Sequence, residues 1–491
     1  MSKSTTVDES GGGKLEVPID IHNIPRRERL EAEAAASGDM YFRREKIHPR
    51  EVEGLFARLR TATAQLLLGA FYLTCWISIN GQQILLFDLP ARRFHVFGLT
   101  FWPQDFIYLS ALLLIAALSL FFFTAVAGRL WCGYACPQTA WTEMFMWVER
   151  VFEGTANRRR KLDARPWDMD KVLRKGGKHF SWAVLGLFTG FTFVGYFTPI
   201  RELAVDLGSF SLGFWEWFWI GLYGLATWGN AGFLREQVCK YMCPYARFQS
   251  AMFDRDTLIV SYDQSRGEPR GSRRRGQDPA DAGLGSCIDC QLCVQVCPTG
   301  IDIRDGLQYE CIGCAACVDV CDQVMDKMQY PRGLVRYTTD RALETGTKPR
   351  LLRPRVVIYA ALIVGVTAAV LVSLLGRTPL IVDVMRDRNA LYREVPGAAI
   401  ENVYQVRLMN MDDDTHLYRI EALGIEGARV VQPAEPIEVA AGGVQTVVMR
   451  LQVPTDAVTA PSMQLQLSFE ALDDERITRL EQTRFLGPAE P

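Results

Sequence analysis

Five stretches of the chain stay apolar for long enough to cross a bilayer as helix, which takes about 20 residues. They cover residues 61–81, 105–127, 180–199, 212–233 and 356–376. The fourth holds Glu216 and Asn230, which have to face protein or the interface, and a buried amphipathic helix of a water-soluble fold is its alternative reading. Beyond residue 378 the period shortens to two, in VYQVRLMN (403–410), LYRIEAL (417–423), QTVVMRLQV (445–453) and MQLQLSFEAL (463–472). Asp-rich and Gly-rich turns separate these runs, which predicts an antiparallel sandwich of about 100 residues.

Charge orients this pattern. Lys and Arg crowd the polar tail (Arg26, Arg27, Arg29, Arg43, Arg44, Lys46, Arg58, Arg60) and the connection after the second span, from Arg158 to Lys178. The intervening turns offer only Arg92 and Arg93, and then Arg201. The positive-inside rule therefore puts the N-terminus in the cytoplasm, along with 128–179 and 234–355, and everything after 377 outside. The first 55 residues carry no apolar h-region or cleavage site, so the first span is expected to do the targeting. The net charge of −2 says little about a partner, and Arg273, Arg274 and Arg275 sit in a Gly- and Pro-rich linker that reads as a solvated loop, with a nucleic-acid patch as the weaker alternative.

Twelve of the 13 cysteines fall on the segments assigned to the cytoplasm, which argues for metal ligands or redox groups over a disulfide framework. Cys75, within the first span, reads as a small packing residue. Cys287, Cys290, Cys293 and Cys297-Pro298 have the C-x2-C-x2-C-x3-C-P spacing of two-cluster ferredoxins. Cys311, Cys314, Cys317 and Cys321 repeat it, with Asp322 where proline is usual. In such pairs the fourth cysteine of each motif serves the other cluster. The expected [4Fe-4S] ligand sets are Cys287, Cys290, Cys293 with Cys321, and Cys311, Cys314, Cys317 with Cys297. Zinc, the alternative, needs four ligands from two separated pairs, and the triplets overshoot that twice. Paired clusters in one small domain form an electron relay, or else brace the fold.

A second pair of motifs lies upstream. WCGYACP supplies Cys132 and Cys136, and VCKYMCP supplies Cys239 and Cys243, with an offset of 107 residues that also superposes the second apolar stretch on the fourth. This predicts a duplicated helical hairpin, with both C-x3-C-P motifs meeting near its axis at the cytoplasmic surface. Cysteines four apart lie on one face of a helix, one turn apart, and the proline that follows puts each pair at a helix end. Soft thiolates suit Cu(I); a dithiol cycling to a disulfide and plain structural packing stay open as alternatives. The five histidines (His22, His48, His95, His179, His416) include no pair placed to ligate a haem, and no G-x-G-x-x-G after a strand or P-loop is present. An electron donor has to come from elsewhere.

The ordered set GRLWCGYACPQTAWTEMF, REQVCKYMCPYARFQSAMFD, CIDCQLCVQVCPTGIDIRDGLQYECIGC and CVDVCDQVM, with LFDLPARRFHVFGLTFWPQD, closely resembles the cytochrome c oxidase accessory proteins called CcoG, FixG or RdxA. The likeness runs from about residue 50 to 380, with a looser resemblance of the exterior part to the family's immunoglobulin-like C-terminal domain. It implies a multi-pass protein of the bacterial inner membrane that reduces Cu(II) to Cu(I) for assembly of a cbb-type haem-copper oxidase. Oxidase subunits or their copper-delivery factors would be its partners, the donor is unknown, and a homo-oligomer is left open. The implied architecture is a multidomain one. It comprises a cytoplasmic tail (1–55), a four-span helical membrane region (56–260), a two-[4Fe-4S] ferredoxin-like domain (261–350), a fifth transmembrane helix (351–377) and an immunoglobulin-like β-sandwich (378–491).

In the expected mechanism an electron enters the two-cluster domain and reaches copper held at Cys132, Cys136, Cys239 and Cys243. Two other classes of function compete with it. One is an iron-sulfur subunit relaying electrons between a quinol or cytoplasmic donor and a partner without copper chemistry. The other is a non-enzymatic assembly scaffold whose clusters are structural pins.

Overall fold

The computed structural model describes residues 46–79, 81–250, 252–279, 281, 283–348, 350, 352–387 and 391–488. The tail arginines from Arg26 to Arg44, and His22, lie outside the described residues. The chain divides into two compact units, one of residues 1–66, 123–182 and 229–351 and one of 67–122, 183–228 and 352–491.

The first unit carries every cysteine except Cys75. Its redox-type domain is built on one two-stranded antiparallel sheet, Ile259–Tyr262 against Val335–Thr338, with Ile259 opposite Thr338. Alternation buries Val260, Tyr262 and Val335 against Val318, Val324 and Met325 of the helix Ala316–Met328. That helix also anchors the start of another. Asp319 accepts from the backbone N–H of Phe56 (3.2 Å) and Ala57 (2.7 Å), and so caps Leu55–Thr74 from outside the segment.

Behind this domain the helices Pro137–Glu153 and Ala156–Ala164 are locked by buried ion pairs. Glu149, fully buried, meets Arg159 at 2.8 Å, Arg235 at 3.0 Å and Lys178 at 3.7 Å. Lys178 also reaches Glu153 at 2.7 Å. Three successive helices and the turn before the second C-x3-C-P motif are tied by one carboxylate and its neighbours.

The second unit contains the C-terminal domain, where two antiparallel sheets face each other. One holds 429–432, 444–454, 399–410 and 380–386 in that order, with 393–395 added along 399–410. The other holds 437–439, 416–423, 462–471 and 478–486. Period-two alternation sends Tyr404, Val406, Leu408, Leu451, Leu467 and Phe469 into one core. The four expected strands are present within a residue or a few of their predicted bounds. Of the other five, 393–395, 429–432 and 437–439 are short and TRLEQTRFL is polar, which leaves a weak signal, whereas Leu380–Arg386 (LIVDVMR) is apolar and follows within a few residues of the last apolar window, which hides its start.

The expected turn between the first two apolar stretches is a three-stranded sheet, Leu85–Asp88, Arg93–Val96 and Leu99–Phe101. It packs within the same unit on the Asp-rich turn of the sandwich. Thr100 donates to Asp413 at 3.1 Å and the Trp102 indole N–H to the Met411 carbonyl at 3.3 Å. Arg377, at the foot of the last helix, pairs with Asp105 at 2.6 Å.

Two helices among the described residues are long and apolar enough to cross a membrane, Pro103–Ala127 and Pro354–Leu375. The other three apolar windows fall differently. The helix over the first starts among Arg58 and Arg60 and ends at Thr74, so that Ser78 already enters a strand. The third window begins within Met169–Val194, whose first half carries Lys171, Arg174, Lys175 and Lys178, and runs past its end into the turn at 195–199. The fourth is 14 residues of α-helix, Phe214–Thr227, continued by the π-turns of Trp228–Leu234.

Candidate iron-sulfur and thiol site

Both C-x3-C-P motifs fold alike. A single wide π-turn, Trp131–Ala135 in the first and Val238–Met242 in the second, carries the leading cysteine. The second cysteine is extended (ψ 130° at Cys136, 111° at Cys243), and its N–H returns to the turn's first carbonyl at 2.8 Å in both copies. Pro137 and Pro244 then open helices, because proline's fixed φ and missing donor suit a first turn. The cysteines thus flank a helix start and are not one α-turn apart on a single face. The wide turn replaces the regular spacing.

The copies interlock. Gln249, in the helix after the second motif, donates to the carbonyl of Gly128 before the first, at 2.8 Å. Gln138, after the first motif, donates to the carbonyl of Arg235 before the second, at 3.2 Å. Gly128 and Arg235 occupy matching places in the two copies, and both have positive φ (51° and 42°). Through this exchange Cys132 comes within electrostatic reach of Cys136, Cys239 and Cys243. Burial, then that thiol company, pushes Cys132 up to about 12 and Cys239 up to about 11. Cys132 also points its thiol at Gln249 Oε1, 3.5 Å away.

The ferredoxin-type motifs line two adjoining cavities. One is bordered by Cys287, Cys290, Cys293 and Cys321; the other by Cys297, Cys311, Cys314 and Cys317, with Cys293 on the shared wall. Each cavity thus draws three cysteines from one loop and the fourth from the other motif. Burial pushes Cys293, Cys311 and Cys321 up to about 12. Such thiols stay protonated unless a metal takes their charge, so this donor set fits metal clusters. Among the described residues no three His, Cys, Asp or Glu side chains converge on a single ion position. A cubane, with its ligands spread over separate irons, asks for no such convergence, whereas a lone zinc does. Asp322 accepts from the Gly333 N–H at 2.9 Å and so pins the chain leading into the second strand.

Several residues around the thiols carry no motif signature. Arg129 is buried between the groups, its guanidinium donating to the carbonyls of Tyr309, Cys311 (2.6 Å) and Ala246 (3.3 Å). Tyr134, inside the first motif, faces the Cys314 carbonyl at 3.5 Å, and Tyr337 donates to the Gly313 carbonyl. The one available signal was an arginine directly after an apolar span. The described histidines are engaged elsewhere: His48 with Asp163, His95 with Thr100, His179 stacked on Phe233, and His416 between Asp412 and Asp473.

Comparison with known proteins matches these regions. A family profile described as a 4Fe-4S dicluster domain covers residues 234–340, one described as a 4Fe-4S binding domain covers 109–155, and one for the IG-like fold at the C-terminal of FixG covers 370–488. A crystal structure of a FixG-related protein from Vibrio parahaemolyticus aligns with 22% of this chain and 97% of its own, at 23% identity and a TM-score of 0.21. Nitrogen fixation protein FixG of Rhizobium meliloti is 39% identical over 452 residues, 84% of this chain and 85% of that protein. Protein RdxB of Cereibacter sphaeroides is 40% identical over 460 residues, 89% of this chain and 95% of that protein. With iron-sulfur domains, the FixG-type C-terminal fold and near full-length likeness in hand, the chain belongs to the FixG/RdxA family of iron-sulfur proteins.

Proposed function

We propose that this protein is a membrane-bound cupric reductase: it takes up Cu(II) at the C-x3-C-P thiols and releases Cu(I) for assembly of a haem-copper oxidase. The carrying observation is that Cys132, Cys136, Cys239 and Cys243 share one neighbourhood against the loop bearing Cys311 and Cys314. Two [4Fe-4S] clusters, when bound by Cys287, Cys290, Cys293 and Cys321 and by Cys297, Cys311, Cys314 and Cys317, supply single electrons at low potential.

The chain's own part is to bind and shape. Thiolates favour Cu(I) over Cu(II), so the site pulls the substrate ion toward its reduced state as one electron arrives. The balance is Cu²⁺ plus one electron to Cu⁺. The membrane arrangement belongs to the same proposal: five spans, with the N-terminus and thiols on the cytoplasmic side of a bacterial inner membrane and the β-sandwich in the periplasm. The positive-inside pattern and the two long apolar helices support it.

The test is a purified, anaerobically reduced sample given Cu(II) and a Cu(I) chelator. Chelated Cu(I) should appear in the wild type and fall roughly tenfold or more in C132S and C239S, whose cluster EPR signals persist. Reduced clusters with unchanged copper would leave an electron relay; clusters silent on reduction would leave a scaffold.

One observation favours a second reading. The 4Fe-4S binding profile over 109–155 includes Cys132 and Cys136, so the four thiols could hold a third cluster. Iron equivalent to three cubanes per chain, dropping to two in C132S, would establish that reading.

A further inference from the structure

The two cysteine loops of the ferredoxin-type domain differ in what they touch. The first packs inward: its cavity is walled by Tyr262, Arg304, Val324 and Leu334, and the Cys287 carbonyl accepts from Gly271 at 3.2 Å. The second is pressed onto the C-x3-C-P region. A side chain at Gly133, between Cys132 and Cys136, would meet the carbonyls of Ile312 and Gly313 at 3.0 Å and the Cys314 Cα at 3.1 Å. An alanine there would require the facing loop to give by a few tenths of an ångström. Gly313, at φ +66°, in turn leaves no more than 3.2 Å between an added Cβ and the Arg129 carbonyl.

Arg129 joins all three parties. Its carbonyl accepts from the Gly133 N–H at 3.1 Å, and its guanidinium holds the Tyr309 and Cys311 carbonyls on one side and that of Ala246, in the helix after Cys243, on the other. Cys311, Cys132 and Cys239 all lie in its electrostatic reach. Its Nε–H is buried with no acceptor among the described residues.

We propose that the loop of Cys311, Cys314 and Cys317, closed by Cys297, is the electron exit toward the C-x3-C-P thiols, and that Arg129 is the positioning residue that holds exit and acceptor together and tunes the exit centre. The loop of Cys287, Cys290 and Cys293 with Cys321 is then the inner station. The proposal rests on the cupric-reductase reading for its acceptor, and its step is one-electron: a reduced one-electron carrier, dithionite in the assay, reduces the exit centre. Copper uptake displaces the thiol protons to solvent, and the single electron then given up by that centre would convert Cu²⁺ to Cu⁺ and return the centre to its oxidised level. A fixed cation beside a cluster raises its potential by stabilising the extra negative charge of the reduced form.

The test uses the full chain in detergent, with clusters loaded anaerobically and each EPR signal assigned through the serine variants C290S and C314S. In a redox titration Arg129→Gln should lower the potential of the signal that C314S perturbs and leave the other in place. Arg129→Lys, keeping the charge, should restore most of it. Arg304→Gln, beside Cys293, should do the reverse and move only the signal that C290S perturbs. Gly133→Ala should slow reoxidation by Cu(II) roughly tenfold by pushing the loop away, with both signals retained and the KM for Cu(II) unchanged. The proposal is overturned if Arg129→Gln shifts both signals equally or neither, or if Gly133→Ala reoxidises within about twofold of wild type. The potential shifts need no copper. A wild type that fails to reduce Cu(II) but shows the selective shift removes the copper reading and keeps Arg129 at the exit centre; copper reduction without selectivity removes this proposal alone.

Discussion

Glu149 shows how much of the site depends on one carboxylate. It has no exposed surface and is surrounded by Arg235, Arg159 and Lys178. Burial pushes its carboxyl up, but the three cations outweigh that and bring it down to about 2 from an ordinary 4.5. Glu149→Gln leaves those cations uncompensated in a buried place, a change that typically costs about 3–5 kcal/mol. The variant should melt earlier, with Cu(II) reduction lost in the same transition, because Arg235 stands four residues before Cys239. The sign of the pH dependence follows from the depressed value. The ion pairs contribute fully above about 4.5 and are lost as pH falls toward about 2, so the melting gap between wild type and E149Q should hold from neutral pH to about 5 and narrow below it. A gap that widened on acidification would contradict the ion-pair account. The cysteines were legible in sequence because their spacing is local, within one loop. Glu149 was not, since its partners arrive from 159, 178 and 235, and nothing in a lone glutamate on an amphipathic helix distinguishes a buried anchor from a solvated residue.

Elements deviate from their sequence pattern where backbones crowd. The helices Met169–Val194 and Phe214–Thr227 cross at glycines: a Cβ on Gly190 would lie 2.3 Å from the Ile220 carbonyl and one on Gly186 2.7 Å from that of Gly224. Small residues four apart are what allow helices to pack this closely in an apolar setting. Gly190→Ala should therefore cost about 1–3 kcal/mol through overpacking, and Gly190→Leu should prevent recovery of folded protein, as measured by thermal inactivation and yield in detergent. Gly208, with nothing within 4 Å of an added Cβ, is the control whose alanine variant should melt like wild type. Hydropathy found these helices but misjudged their ends. It cannot register that Lys178 is sheathed by Glu153 and that the helix therefore begins well before the apolar window. The repeat at 107 residues was legible because duplicated chemistry leaves duplicated letters, whereas the π-turns were not, since a turn wider by one residue has no composition of its own.

The chain passes between its two compact units at 66/67, 122/123, 182/183, 228/229 and 351/352, five points that fall in or directly before the five apolar windows. All cysteines but Cys75 lie in one unit, and the β-sandwich with the three-stranded sheet lies in the other. In the proposed five-span arrangement an odd number of crossings puts the two ends of the chain on opposite sides, in keeping with the arginine-rich connections. The prediction is directional. Protease added to intact spheroplasts should remove the domain from about residue 378 onward and leave a membrane-held fragment that keeps its iron. Inverted vesicles should instead be cut within the Gly- and Pro-rich stretch 263–286, losing the cluster signals while the β-sandwich survives. Cleavage of 263–286 in spheroplasts would put the thiols outside. There oxidation to disulfides competes with metal binding, and low-potential iron-sulfur chemistry could not be sustained. The same result would remove the cytoplasmic reductase reading, because the cation asymmetry and the thiol asymmetry of this sequence have to point to the same side of the membrane.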